Sequence, residues 1–402
     1  MPETRDFPWT ARLLWALRDG RRAGPALCIQ GGGAKGAWEA GVLAGLLKAG
    51  PDTFPSSIWG TSAGALNALW SRDPEVTEEP TKLLYYWTTL ARRLILSVIF
   101  SGVALIGFAF LFCLLPLFAK ISLVALTAIV PALLYALALR RKLVRLPGLI
   151  PSSFARRIVP RPRSIAPGFF VYTCVSNVDL EKRPEFWDRS GSGWFQLGNS
   201  SDSFAEDLGS GEHVDAFHVA VASASLPIVV RPTRLAGMKL LDGGLVANLP
   251  GGFILSHGPL GGAYVLCIVP RNVNDLSNSD PIDNRTLRFL YHLRDQQEKY
   301  RNAAAGTPSS SGPAHVHIPV FILSPQQRLK SGLFGFWPPL LKREFWQGNH
   351  VAQNFSESLN AFRQGDIGPM SGFLLEQVLP RREAPVEQPG KPLWYMWANT
   401  HW

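Results

Sequence analysis

Two charge-free apolar runs, Leu94–Leu115 and Ile121–Leu139, constrain this chain more than any other feature. Each is long enough for an α-helix to cross the roughly 30 Å of hydrocarbon in a bilayer. Pro116 and Lys120 fall between them, which predicts a helical hairpin with Lys120 at its tip. A helix apolar on every side is buried in a protein core or in lipid, so a helical pair inside a soluble protein is the competing arrangement. The short tip leaves a spanning and a monotopic hairpin both open. Arg92 and Arg93 precede the first run, and Arg140, Arg141, Lys142 and Arg145 follow the second. Positive charge at both outer ends places them on the cytoplasmic side.

The 402 residues carry a formal net charge of +10, so an anionic partner is expected, and its identity depends on where the charge lies. Between Arg140 and Arg163 stand eight basic residues and no acid, directly after the apolar stretch. That placement fits an anionic membrane surface. Nucleic acid is disfavoured, because the cluster abuts an apolar run and offers no stacking aromatic beyond Phe154. Cys28, Cys113, Cys174 and Cys267 lack metal-ligand spacing and read as buried thiols, and no His/Cys/Asp/Glu cluster has the spacing of a metal site. The N-terminal residues carry acids and arginines without a continuous apolar core. That argues against a cleaved secretory signal and places the polar parts of the chain in the cytoplasm.

Outside the hairpin, short apolar runs alternate with helical patterns. Ala26–Gln30, Ser57–Thr61, Phe169–Ser176, Lys239–Leu241, Ala263–Val269 and His315–Leu323 read as strands. Helices are expected after Gly36 and Ala63, and near Ala216–Ser225, Arg285–Asn302 and Phe345–Phe362. This alternation predicts a three-layer α/β/α domain around a mainly parallel sheet. Asn199–Gly211 and Gly306–Gly312 read as surface loops, and Trp9–Leu17 as a packing helix.

Three glycine-bearing segments carry chemistry. Gly60-Thr61-Ser62-Ala63-Gly64 is a G-x-S-x-G sequence between an expected strand and an expected helix, a context that holds a serine hydroxyl exposed beside the positive end of a helix. Gly31-Gly32-Gly33-Ala34-Lys35-Gly36 follows the first strand, and its backbone N–H groups can converge on one anionic oxygen, either a phosphate or an oxyanion. It satisfies a loose dinucleotide pattern with Asp52 near the required distance. However, Asp52 lies between Pro51 and Pro55 rather than on a strand, and Lys35 is followed by Gly36 rather than by the Ser or Thr of a phosphate loop. Asp242-Gly243-Gly244 ends an apolar run, where it would put a carboxylate at a strand tip; alone it reads as a turn. None of the eight histidines stands in a catalytic context.

Taken together, these segments resemble the patatin-like phospholipase family, whose signature is a G-G-G-x-[RK]-G loop, a G-x-S-x-G elbow and a D-G-[GA] segment. Ala222–Pro227 (ASASLP) is similar to a further family segment, A-S-x-A-x-P, with Ser225 in place of an alanine; Asn248 and Pro250 also match. The resemblance implies a serine lipid acyl hydrolase without cofactor, acting on phospholipids or related acyl esters. Ser62 would be the nucleophile and Asp242 its base, with an oxyanion hole along Gly31, Gly32, Gly33 and Ala34. Lys35, Gly36, Gly60, Thr61, Ala63, Gly64, Gly243 and Gly244 complete the motifs. Lysine in place of the family's frequent arginine keeps the charge and loses the bidentate fork.

On this reading residues 1–24 form an N-terminal helical segment. Residues 25–92 and 143–367 form two halves of one catalytic domain, 93–142 an inserted hairpin, and 368–402 a C-terminal extension. Ser62 and Asp242 flank the insertion, so the chain must cross any membrane an even number of times. The hairpin would then hold the site near the bilayer. A catalytically silent membrane scaffold is the alternative function.

Overall fold

The computed structural model describes residues 24–50, 52–114, 150–177, 192–198, 201–208, 211–226, 229–245, 248–250, 254, 264–276, 286–288, 290–295, 297, 319–332 and 334–379. The Trp9–Leu17 helix, the second apolar run, the Arg140–Arg145 cluster and the Gly306–Gly312 loop lie outside these residues.

A ten-stranded sheet organises the chain. Its parallel body contains β1 (Ala26–Ile29), β2 (Ser57–Thr61), β3 (Phe170–Asn177), β9 (Val265–Ile268) and β10 (Val320–Leu323), in the order β10-β9-β1-β2-β3. Successive side chains on a strand point to opposite faces. Leu27 and Ile29 of β1, Leu266 and Ile268 of β9, and Phe321 and Leu323 of β10 therefore join one apolar cluster. Their neighbours Ala26, Cys28, Val265, Cys267, Val320 and Ile322 join a second cluster. Burial on both faces explains why these strands are continuous apolar runs rather than alternating ones.

Helices cover both faces. On the first lie α1 (Gly36–Ala49), α2 (Ala63–Trp70), the base of α3 (Leu83–Leu114), α4 (Ser152–Ile158), α5 (Ala216–Ser223) and α6 (Pro338–Arg363), contributing Trp38, Leu66, Trp87, Ile158, Phe217 and Phe345 to the cluster. Leu290 and Leu293, in a helical stretch, cover the second face with Leu375 and Leu379. α1 and α6 meet backbone to backbone. A Cβ on Gly41 would stand 1.9 Å from the Phe345 carbonyl oxygen, and one on Gly348 2.1 Å from that of Trp38.

Beyond β3 the sheet becomes antiparallel. β4 (Ser192–Leu197), β5 (Phe204–Asp207) and β6 (His213–Asp215) extend it by successive antiparallel pairings. β8 (Met238–Asp242) pairs antiparallel with the end of β3 and forms a hairpin with β7 (Thr233–Leu235). The expected mainly parallel sheet is thus parallel on the side of β2 and mixed overall. The expected loop Asn199–Gly211 contains β5, whose burial alternates residue by residue, so a single buried face was masked by its polar composition.

Two expected domain limits shift. The limit between residues 92 and 93 falls inside α3, a 32-residue helix of about 48 Å at 1.5 Å per residue. Leu83, Trp87 and Ala91 are buried in the domain, whereas Val98 and Phe100 are about 70% exposed. Pro80–Val103 is long and apolar enough to cross a membrane. At the other end, Leu374 bridges to Phe321 of β10, and Leu375 and Leu379 are buried in the core. The core therefore continues past residue 368 through Leu379.

Candidate active site

β2 ends at Thr61 and α2 begins at Ala63, leaving Ser62 alone at the turn. Its backbone takes φ 55°, ψ −120°, a conformation that costs a non-glycine residue on the order of 1–3 kcal/mol. The glycines on either side make that turn possible. A Cβ on Gly60 would stand 2.5 Å from the Gly64 carbonyl oxygen, and one on Gly64 2.5 Å from that of Ile29. Strand and helix thus approach too closely for a side chain at position 60 or 64, and Ser62 stands between them at the N-terminus of α2.

Asp242 ends β8, and the antiparallel pairing Val175↔Asp242 brings it across from β3. Ser62 Oγ donates to Asp242 Oδ2 at 2.8 Å, joining residues 180 positions apart. The other carboxylate oxygen, Oδ1, accepts from the Gly244 N–H at 2.7 Å. The Asp242 backbone is held as well: its N–H donates to Ser225 O at 3.0 Å, and its carbonyl accepts from Ser176 Oγ at 2.7 Å. A Cβ on Gly243 would lie 2.2 Å from the Cys174 carbonyl oxygen, so this turn too requires glycine. Ser62 is 8% exposed and Asp242 3%.

The glycine loop lies alongside. A Cβ on Gly31 would stand 2.8 Å from Ser62 Cβ, and Gly33 adopts φ 58°. The Gly31 N–H already donates to Asn248 O at 3.1 Å. Gly31 therefore drops out of the expected oxyanion donors, because its hydrogen is used to tie the loop to the segment after β8. Among the described residues the amides of Gly32, Gly33 and Ala34 have no acceptor. Lys35 closes the turn with an N–H bond to Gly32 O at 3.2 Å, and Gly36 abuts the Trp87 ring and Ala63. All three motifs thus converge on Ser62.

Beneath the loop, Glu39 of α1 is fully buried, and its Oε2 accepts from Asn67 Nδ2 at 3.3 Å. Burial pushes the Glu39 carboxyl well above the usual carboxylate range, against the opposing pull of the Asn67 bond and the Lys35 charge. In front of Ser62 opens a cavity of about 630 Å³ lined almost wholly by apolar side chains, a volume typical of a small-ligand site.

The patatin-like phospholipase family model matches residues 27–251, more than half of the chain and a span that includes both Ser62 and Asp242. The chain belongs to the patatin-like phospholipase family. This patatin-like protein is similar to VipD from Legionella pneumophila at 13% identity and a TM-score of 0.35, covering 84% of this chain and 67% of that one. It is similar to human GIVD cytosolic phospholipase A2 at 14% identity and a TM-score of 0.41, covering 94% and 65%. The chain thus spans about two thirds of the length of each. No curated protein matches it.

Three further residues support this patatin-like site, of which Ser223 and Asn248 fall in segments the family resemblance marks and Ser176 does not. Ser223 Oγ accepts the Ser62 N–H at 2.9 Å and donates to Cys174 O at 2.6 Å, fixing the elbow to β3. Ser176 and Asn248 hold the Asp242 turn and the glycine loop. The Ala222–Pro227 segment carried a signal for Ser223; nothing local marks Ser176.

Proposed function

We propose that this patatin-like protein hydrolyses acyl esters of membrane lipids, with Ser62 as nucleophile, Asp242 as base and the amides of Gly32, Gly33 and Ala34 as the oxyanion hole. One observation carries the reading: the 2.8 Å bond from Ser62 Oγ to Asp242 Oδ2, with Ser62 lining an apolar cavity. Ser62 Oγ attacks the ester carbonyl carbon as its proton passes to Asp242. The carbonyl oxygen, now an anion, is held by the loop amides, which are oriented before the reaction begins. Collapse expels the alcohol, which takes the proton from Asp242 and leaves an acyl-Ser62. Water then gives its proton to Asp242 and attacks the acyl carbon, and the second collapse returns the proton to Ser62. The Gly244 N–H on Oδ1 leaves Oδ2 aimed at the serine throughout. This chemistry draws on no cofactor.

The apolar helix supports membrane association. From Leu96 to Leu114 it has 19 residues, about 28 Å at 1.5 Å per residue, close to the roughly 30 Å of bilayer hydrocarbon. On this reading the insertion anchors the domain on the cytoplasmic face, and the basic cluster Arg140, Arg141, Lys142 and Arg145 meets anionic headgroups.

The test is labelling of the detergent-solubilised protein with a fluorophosphonate probe, followed by a lipid ester panel. Labelling should vanish in Ser62→Ala and fall sharply in Asp242→Asn. A folded wild type that neither labels nor turns over any ester would overturn the proposal.

A further inference from the structure

The cavity at Ser62 is bounded on one side by the same helix that leaves the domain toward the proposed membrane. Trp87, Leu90, Leu94, Ile95, Val98 and Ile99 of α3 all line it. Their spacing of 3, 4, 1, 3 and 1 residues keeps them on a single helical stripe. Across from this stripe stand Ile158, Val159, Leu226 and Val230, and Phe334 and Trp337 form a lip ahead of α6. Among the described residues that line the cavity, Ser62 bears the single hydroxyl and none is charged. The Trp87 indole N–H is turned away, donating to Asn67 Oδ1 at 2.8 Å. The site therefore offers an occupant polar contacts at Ser62 and the adjoining glycine loop, and dispersion along the rest of its lining.

The dimensions narrow the occupant. From Trp87 to Ile99 the stripe runs about 18 Å along the helix axis. A 1.52 Å carbon–carbon bond advances about 1.26 Å along an extended chain at the tetrahedral angle, so 18 Å holds roughly 14 carbons. Toward the outer end, exposure rises instead of falling: Val98, Phe100, Val103 and Trp337 are between 62% and 71% exposed. An apolar trough that opens onto an exposed apolar helix face is continuous with the lipid phase that such a face requires.

We propose that α3 is a wall of the substrate site as well as an anchor. Its Leu90–Ile99 stripe binds the scissile acyl chain of a long-chain lipid ester, with the carbonyl at Ser62 and the tail lying along the helix toward the bilayer. The lipid then enters sideways, without its tail crossing water. Leu94, Ile95 and Val98 are specificity-determining residues that set acyl-chain length. This inference rests on the lipid hydrolase reading above.

The test uses the full chain in detergent and compares kcat/KM on p-nitrophenyl butyrate, octanoate and palmitate. Ile95→Trp and Val98→Trp fill the trough beyond the reach of a butyryl chain. Each should lower the palmitate-to-butyrate ratio of kcat/KM by about tenfold or more, the discrimination a shaped apolar pocket achieves. Val98 is largely exposed, so its variant keeps the experiment readable if Ile95→Trp folds poorly. Binding is read separately by photocrosslinking a diazirine-bearing palmitate to Ser62→Ala protein, where crosslinks within residues 90–99 are expected. Unchanged chain-length preference in active variants, or crosslinks confined to other segments, would overturn the acyl-wall role and leave the hydrolase reading intact. Absence of any ester turnover or probe labelling in wild type would instead remove the hydrolase reading, and this inference with it.

Discussion

The floor of the Ser62 cavity is held by directional hydrogen bonds, four of them between 2.6 and 2.9 Å, whereas its α3 wall meets the cavity with apolar side chains. Hydrogen bonds weaken steeply with angle and distance, so the floor has one working geometry. Dispersion and burial are non-directional, so the wall accepts other apolar shapes and registers them as a change in which chain fits. On the proposed reading chemistry and selectivity fall on two parts of one cavity, and perturbing each part should fail in a different way.

The largest contrast is expected from the dyad itself. Ser62→Ala should lower kcat/KM by about 10⁴-fold or more on short and long esters alike, and Asp242→Asn by about 10²–10⁴-fold, each with an unchanged circular dichroism spectrum. Retention of butyrate turnover in Ser62→Ala would show that the floor does not carry the chemistry. Next, Gly243→Ala places a methyl 2.2 Å from the Cys174 carbonyl oxygen. The Asp242 turn must move, with a destabilisation of about 1–3 kcal/mol and loss of activity on every chain length. Denaturant unfolding beside the ester series checks both.

Ser223→Ala sharpens the comparison further. It leaves the buried Ser62 N–H and Cys174 carbonyl without the hydroxyl that bridges them. A stability loss of about 1–3 kcal/mol is expected, together with lower kcat and an unaltered chain-length profile. A shifted profile with normal kcat would place Ser223 in the wall rather than the floor.

The smallest effect concerns the layer under the glycine loop. The raised carboxyl pKa of Glu39 means that its contribution to stability is complete below the unfolded value of about 4.3. That contribution is lost as pH rises through the folded-state value. Glu39→Gln removes that loss, so the Tm difference between variant and wild type should grow in favour of the variant between pH 5 and pH 9, by about 2 °C or more. A difference that stays flat with pH would mean that the buried carboxyl does not titrate in this way.

Much of the floor was legible in the chain. The expected strand Ser57–Thr61 coincides with β2 to the residue, and Ser62 stands at the strand-to-helix turn that Gly60 and Gly64 permit. These features depend on steric limits within a few neighbouring residues. The antiparallel strands β4 to β6 were not legible: β5 lies in a Ser- and Gly-bearing segment whose single buried face appears only once β4 and β6 flank it. Nor was the start of α3 at Leu83, ahead of the charge-free run, because Arg92 and Arg93 interrupt the apolar pattern without interrupting the helix.

By itself the sequence determined where the glycine-bearing turns fall and that an apolar stretch separates them, because both follow from local sterics and from the composition of a continuous segment. Tertiary structure alone decided three things. The Gly31 amide is spent on Asn248, Ser223 braces the elbow from 161 residues away, and the α3 stripe faces Ser62. Each joins groups from distant parts of the chain, and which distant groups meet is settled only when the sheet register and the helix packing are in place.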